Sequence, residues 1–299
     1  MNKQTSSIKF GTLLSFLAAF GFSFKAIFVK LAYNAASIDA ITLLMLRMSF
    51  SVLFLVIPTI FIIKNGKKLD KKDYISLIIL GVIGYYGSSI LDFLGLQYIT
   101  AGLERLILFS YPTLTILIGI LFMGKKFEKK LLFALALSYA GILLAFLHDL
   151  NVSNDIKSVI IGATFVFGSA LTYAIYNVGA EITIKRLGAM KFSVLALLVS
   201  TASTQIHFFF QEPLSSLQGL PISIYLYCIG MALFSTVLPI FWQSAAIHRI
   251  GVEKAVMIGM LGPMFTIFFS WWLLGETISF EQILGTFFVV LGVFIAIRQ

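Results

Sequence analysis

Tyr98 to Gly141 can be laid on Arg249 to Gly292 with a constant offset of 151 and no gap. Pro112 falls on Pro263, Thr115 on Thr266, Gly124 on Gly275 and Gly141 on Gly292. The loop inside the matched segment then changes sign. It reads Gly-Lys-Lys-Phe-Glu-Lys-Lys over 124–130 and Gly-Glu-Thr-Ile-Ser-Phe-Glu over 275–281. Matching apolar segments with opposite loop charge imply two membrane-embedded halves of opposite orientation.

Composition supports lipid as the solvent. The chain has 299 residues, 59% of them hydrophobic and only 12% charged, against about 25% charged in a soluble domain. Ten apolar segments run roughly over 10–31, 40–63, 74–94, 101–123, 131–147, 159–184, 192–210, 222–247, 255–274 and 281–297. Each is near the ~20 residues a spanning helix needs. Barrel strands would alternate apolar and polar residues, and these runs do not. The first segment is too long for a signal-peptide core, so it reads as a retained helix. The polar stretch from His148 to Lys157 falls mid-chain and divides residues 1–150 from 151–299. The expected fold is an all-α integral membrane protein, with ten transmembrane helices as two inverted five-helix repeats.

The formal charge of +9 could point to nucleic acid, but its distribution excludes that reading. With the N-terminus inside, the inner loops and ends hold Lys3, Lys9, Lys64, Lys67, Lys68, Lys71, Lys72, Lys125, Lys126, Lys129, Lys130, Lys185, Arg186, Lys191, Arg249, Lys254 and Arg298. Only Lys30, Arg105 and Lys157 fall outside, while Lys25 and Arg47 lie within helices. This is topological bias, and it places both termini in the cytoplasm. The Lys-, Ile- and Phe-rich composition suggests an AT-rich bacterial genome, hence a bacterial cytoplasmic (inner) membrane.

The segment Gly262-Pro263, Leu274-Gly275-Glu276, Gly285 and Gly292 resembles the recurring pattern of the EamA-type transporters of the drug/metabolite transporter superfamily. The first copy keeps Tyr111-Pro112, Gly124 and Gly141, but has Lys125 where the second has Glu276. Tyr98-Ile-Thr-Ala-Gly-Leu-Glu-Arg resembles the start of the family's fourth helix. The resemblance implies a central cavity lined by helices 1–4 and 6–9, with helices 5 and 10 peripheral. It implies transport of a small solute and leaves the solute open.

Charges inside membrane helices cost about 2.5–3.5 kcal/mol each on insertion scales, so they need a reason. Lys25, Arg47, Asp92, Glu104 and Arg105 fall in the outer layer of the first half. They fit either a vestibule for a zwitterionic or anionic solute or a salt-bridge network fixing helices 1 to 4. Glu104 and Asp92 are the candidate proton carriers, because a buried carboxylate can hold a proton near neutral pH. Glu104, Leu108, Tyr111, Pro112 and Thr115 share one helical face. Gly262, Pro263 and Thr266 repeat part of it in the ninth helix. Pro112 and Pro263 are expected to kink these helices and to serve gating, or simply to shape them. Tyr85, Tyr173, Asn177, Trp242 and Gln243 add aromatic and amide groups suited to an organic solute. Tyrosine and tryptophan also form interfacial belts.

Ala134, Ser138, Gly141 and Ala145 form a small-residue face on the fifth helix, and Gly285 and Gly292 punctuate the tenth. Such faces make a homodimer through helices 5 and 10, or pack within their own bundle. The three histidines and the lone Cys228 are scattered, so no metal site is expected. No phosphate-binding loop occurs, and no cofactor is expected. The functional expectation is a secondary transporter of a small polar metabolite, an amino acid or related amphoteric compound, by alternating access. The alternatives are a lipid or lipid-linked-sugar translocator, which lysine-rich inner loops would suit, and an integral-membrane enzyme. An enzyme would need clustered carboxylates or histidines, which the sequence lacks.

Overall fold

A computed structural model describes residues 3–65, 68–124, 129–153 and 155–297. Lys67, Lys125, Lys126 and Arg298 of the charge pattern lie outside the described residues. Among the described residues ten long helices form: α1 (Lys3–Ala35), α2 (Ala40–Asn65), α3 (Lys71–Gly95), α4 (Ala101–Met123), α5 (Lys129–Ser153), α6 (Ile156–Leu187), α7 (Ala189–Gln211), α8 (Ile222–Ile250), α9 (Val252–Gly259 and Gly262–Phe269, continuing through Leu274) and α10 (Phe280–Ile297). Eight are long and apolar enough to cross a membrane, and the apolar stretches Ala40–Val56 and Phe280–Ala296 are shorter. Among the described residues there is no strand.

The duplication seen in the sequence recurs as local geometry. α4 breaks at Phe109-Ser110, just before Tyr111-Pro112, and α9 breaks at Met260-Leu261, just before Gly262-Pro263. Each proline sits in the first turn of the resumed helix, where its missing N–H costs nothing. Both helices end on a glycine in the left-handed region, Gly124 at φ +64° and Gly275 at φ +69°, where a Cβ would be strained. α3 and α8 each carry a π-helical turn, Gly81–Gly87 and Leu233–Val237. Such turns rotate the side chains that follow them and are frequent at functional sites.

Consecutive helices alternate in direction, and tertiary bonds show which ends share a side. In the first half of α1, Ser15 donates to the Ala255 carbonyl in the first turn of α9 (3.0 Å). On that same side Arg186, at the end of α6, pairs with Asp73 in the first turn of α3. On the opposite side, the Asp149 carboxylate near the end of α5 accepts from the Thr100 amide (2.9 Å) and hydroxyl (2.8 Å). Thr100 itself caps α4.

α5 and α10 pack against each other on their small-residue faces. A Cβ on Gly141 would overlap the Gly285 carbonyl, and one on Gly292 would overlap Ser138. The face is therefore spent within the chain. A homodimer through these two helices would use their outward residues, such as Phe133, Leu143, Ile283 and Phe287, all exposed. The largest core lies between α1, α2, α7 and α8, around Ile27, Leu43, Met48 and Met231.

Candidate functional site

A cavity of about 390 Å³ lies between the two halves. α1 contributes Ala19, Phe22 and Lys25, α2 Arg47, and α3 Tyr85, Ser88 and Ser89. α4 contributes Arg105, Leu108, Tyr111 and Pro112, and α6 Tyr173 and Asn177. α7, α8 and α9 add Ala189, Ser193, Ser235, Thr236, Gln243, Ser244, Ile247 and Gly259. Neither α5 nor α10 supplies a lining residue.

The breaks and π-turns explain which groups reach the wall. The interruption of α4 turns Tyr111 and Pro112 inward, and the π-turns of α3 and α8 present Tyr85 and Thr236. The tyrosines form a continuous surface. Tyr111 meets Tyr173 edge-on at 4.8 Å, and Tyr173 stacks on Tyr176 at 5.7 Å, which in turn meets Tyr85 at 5.1 Å. Gly84 lies against the Tyr176 ring so closely that a Cβ there would overlap it.

The charged residues divide into two groups. Lys25 Nζ lies 2.7 Å from Asp92 Oδ2 and 3.4 Å from Glu104 Oε1, tying α1, α3 and α4 together. Both carboxylates are buried behind the wall, at 1% and 0% exposure, while Lys25 is 18% exposed. Two carboxylates thus share one ammonium group. Asp92 Oδ1 and Glu104 Oε2 accept no hydrogen bond. The second group is the two guanidinium side chains. Arg47 donates from Nε and Nη2 to Thr236 Oγ1 (3.2 and 3.0 Å) and lies 5.4 Å from the Phe93 ring centroid. Its Nη1 is buried without a partner, as is Arg105 Nε.

Of the residues singled out in the sequence, Lys25, Arg47, Tyr85, Tyr111, Pro112, Tyr173, Asn177 and Gln243 stand on the cavity wall. Asn177 turns one amide hydrogen back to the Tyr173 carbonyl (2.9 Å). Asp92, Glu104, Thr115, Trp242, Pro263 and Thr266 are not on it. Thr115 bonds its hydroxyl back to the Tyr111 carbonyl (2.7 Å), while Thr266 sits between the Ser23 and Gly262 carbonyls (3.4 and 3.2 Å), joining α9 to α1. Pro263 is buried beside that contact. Ser193, Ser235 and Ser244 line the wall and carried no signal in the sequence, since lone serines on apolar helices also serve packing. Among the described residues no three His, Cys, Asp or Glu side chains converge as a metal site.

The cavity is asymmetric along the membrane normal. Its lining reaches Ala189, the first residue of α7, and Ile247 in the last turn of α8. On the opposite side Lys25 lies ten residues below the end of α1, roughly 15 Å. That end is closed by polar bonds. Lys30 donates to the Leu96 and Ile99 carbonyls (3.3 and 3.0 Å), Tyr33 to the Phe93 carbonyl (2.8 Å), and the Ala101 amide to Glu276 Oε1 (3.0 Å).

Known proteins resemble this chain in fold and in sequence. A solved crystal structure 14% identical in sequence superposes over 96% of both chains with a TM-score of 0.63, which speaks for the fold. The uncharacterized transporter YcbK of Bacillus subtilis is 28% identical over 94% of this chain and 92% of its own length. An uncharacterized transporter of Archaeoglobus fulgidus is 21% identical over 91% of this chain and 94% of its own length. The sequence profile of the EamA-like transporter family matches twice, over residues 9–147 and 160–298. The chain is a multi-pass membrane transporter and belongs to the EamA-like transporter family.

Proposed function

We propose that this transporter carries a small polar metabolite, an amino acid or a related amphoteric compound, across a bacterial cytoplasmic membrane with both its termini in the cytoplasm. The reading rests on one observation: a cavity between the two halves combines cationic, amide, hydroxyl and tyrosine side chains. Such a wall offers a charged partner, hydrogen bonds and a flat apolar surface to one solute. The two halves rock about the cavity, which faces each side in turn. In the conformation described, the N-terminal side is the accessible one.

The driving force is a solute or proton gradient, or exchange. Asp92 and Glu104 are the proton carriers in this reading. With both ionised they hold Lys25 between them, and a proton on either leaves one carboxylate for one ammonium. That exchange frees Lys25 to turn toward the cavity.

The test is counterflow in proteoliposomes loaded with unlabelled amino acids and challenged with the labelled forms, preceded by a thermal-stability screen of the same compounds. A ligand at 100 times its dissociation constant adds about 2.7 kcal/mol to stability. Stabilisation and counterflow by the same amphoteric compound are expected. Stabilisation by lipids alone, with no counterflow of any polar solute, would overturn the reading in favour of a lipid translocator.

A further inference from the structure

We propose that Arg47 and Arg105 form an oxyanion subsite in the cavity that takes the carboxylate of the transported solute. The proposal rests on the transport reading above and names the part of the solute these two residues recognise. Three cations line the cavity, Lys25, Arg47 and Arg105, and no carboxylate lines it. Lys25 is already held by Asp92 and Glu104. Neither guanidinium group forms an ion pair within 4 Å among the described residues, and Asp92 and Glu104 act on them only at longer range. An ionised group removed from water without a counter-charge is costly. Both nonetheless keep a buried nitrogen with no hydrogen-bond acceptor, Nη1 on Arg47 and Nε on Arg105.

The surroundings hold these groups in place rather than satisfy them. Arg47 is 6% exposed and is gripped by Thr236 and Phe93, which leaves one end of its fork unused. Thr236 is presented by the π-turn of α8 and hands its own proton to the Met231 carbonyl (3.0 Å). Its oxygen is thus free to accept from Arg47. Arg105 lies against the backbone of α9, where a Cβ added to Gly262 would sit 2.7 Å from Nη2. Glycine at 262 therefore makes room for the guanidinium directly before Pro263. A guanidinium group held rigid on the wall of a cavity that no carboxylate lines is preorganised for an acceptor that arrives with the solute. Guanidinium donors favour carboxylate and phosphate through their planar fork. With Asp92 and Glu104 both ionised, the charges of Lys25, Arg47, Arg105, Asp92 and Glu104 sum to one positive, so in that state a single carboxylate brings the set to neutrality.

The experiment measures binding to the purified full-length protein by calorimetry, with two matched sets of probes. One set is phenylalanine, phenethylamine and 3-phenylpropionate, and the other is leucine, isoamylamine and 4-methylpentanoate. Phenyl phosphate is added to separate phosphate from carboxylate. Within a set the expected order is that carboxylate-bearing members bind and the amine is at least tenfold weaker. Arg105→Gln should weaken the carboxylate compounds roughly 10- to 100-fold, as for a lost charge-assisted hydrogen bond. Arg105→Lys should recover part of the loss.

Gly262→Ala is the sharper variant, because it keeps the charge and displaces the guanidinium. It should weaken the same compounds while leaving the thermal midpoint nearly unchanged. Arg47 is packed tightly enough that its removal endangers the fold, so the decision falls on Arg105 and Gly262. Amines that bind as tightly as the acids, or carboxylate affinity unchanged in Arg105→Gln, would overturn the subsite and leave transport standing. Silence from both sets would overturn the subsite and the amphoteric-cargo reading together. Binding of phenyl phosphate alone would overturn the carboxylate assignment.

Discussion

Lys25 serves two buried carboxylates, and a hydrogen in place of one negative charge changes what it must do. If Glu104 carries the coupled proton, Glu104→Gln mimics the protonated form permanently. Accumulation driven by a pH gradient should then vanish, while counterflow, which needs no net proton movement, should persist. Full pH-driven accumulation by the variant would remove Glu104 from the coupling and leave Asp92 to be tested. The individual charges were legible in the sequence, because an ionisable residue stands out inside an apolar run. Their meeting was not. Lys25, Asp92 and Glu104 lie on three helices, and spacing along each says nothing about how the three are rotated against one another. The approach of Arg105 to Gly262 was hidden for the same reason, since it joins helices from different halves.

The repeated pair α4 and α9 is where the two halves match best and where they differ most usefully. Both break before a proline and end on a left-handed glycine, and the prolines and glycines announced this in the sequence. The partner of the next residue was not announced. Glu276, just past the end of α9, accepts a hydrogen bond from the Ala101 amide in the first turn of α4 (3.0 Å). A carboxylate is favoured at a helix N-terminus by the unpaired amides and the helix dipole. Its counterpart in the first repeat is Lys125, a cation that cannot accept such a bond. Among the described residues this latch stands on the side opposite the N-terminus. Weakening it by Glu276→Ala costs about 1 kcal/mol, as for a lost helix cap, and should raise the population open to that side roughly fivefold. The measurement is the rate at which an impermeant thiol reagent, added from that side, labels Ser89→Cys on the cavity wall. An unchanged rate would show that Glu276 is not a latch. The small-residue stripe of α5 shows the complementary limit of sequence reading. Its existence was plain, but a dimer partner and a neighbouring helix call for the same residues, and the neighbour, α10, takes them.

At the scale of the molecule, two independent patterns in the chain converge on one arrangement. The 151-residue offset requires two like halves, and the lysine and arginine distribution requires them to be inverted. The described structure supplies a third element, a cavity whose lining runs to the helix ends on the side where α1 begins. If the positive-inside pattern sets orientation, that side is the cytoplasm. The only cysteine, Cys228, is buried, so a Cys228→Ala background gives a silent starting point. In it, Ser244→Cys lies on the cavity wall three residues before Ile247, and Gln97→Cys lies exposed between α3 and α4 on the opposite side. An impermeant reagent should label position 97 in intact cells and position 244 in inverted membrane vesicles. A saturating amphoteric ligand should slow labelling at 244 and spare 97, because only the former shares the cavity with the solute. Labelling of 244 from outside intact cells, with 97 protected there, would reverse the topology. The accessible cavity would then face outward, and the conformation described would be one that collects solute from the medium.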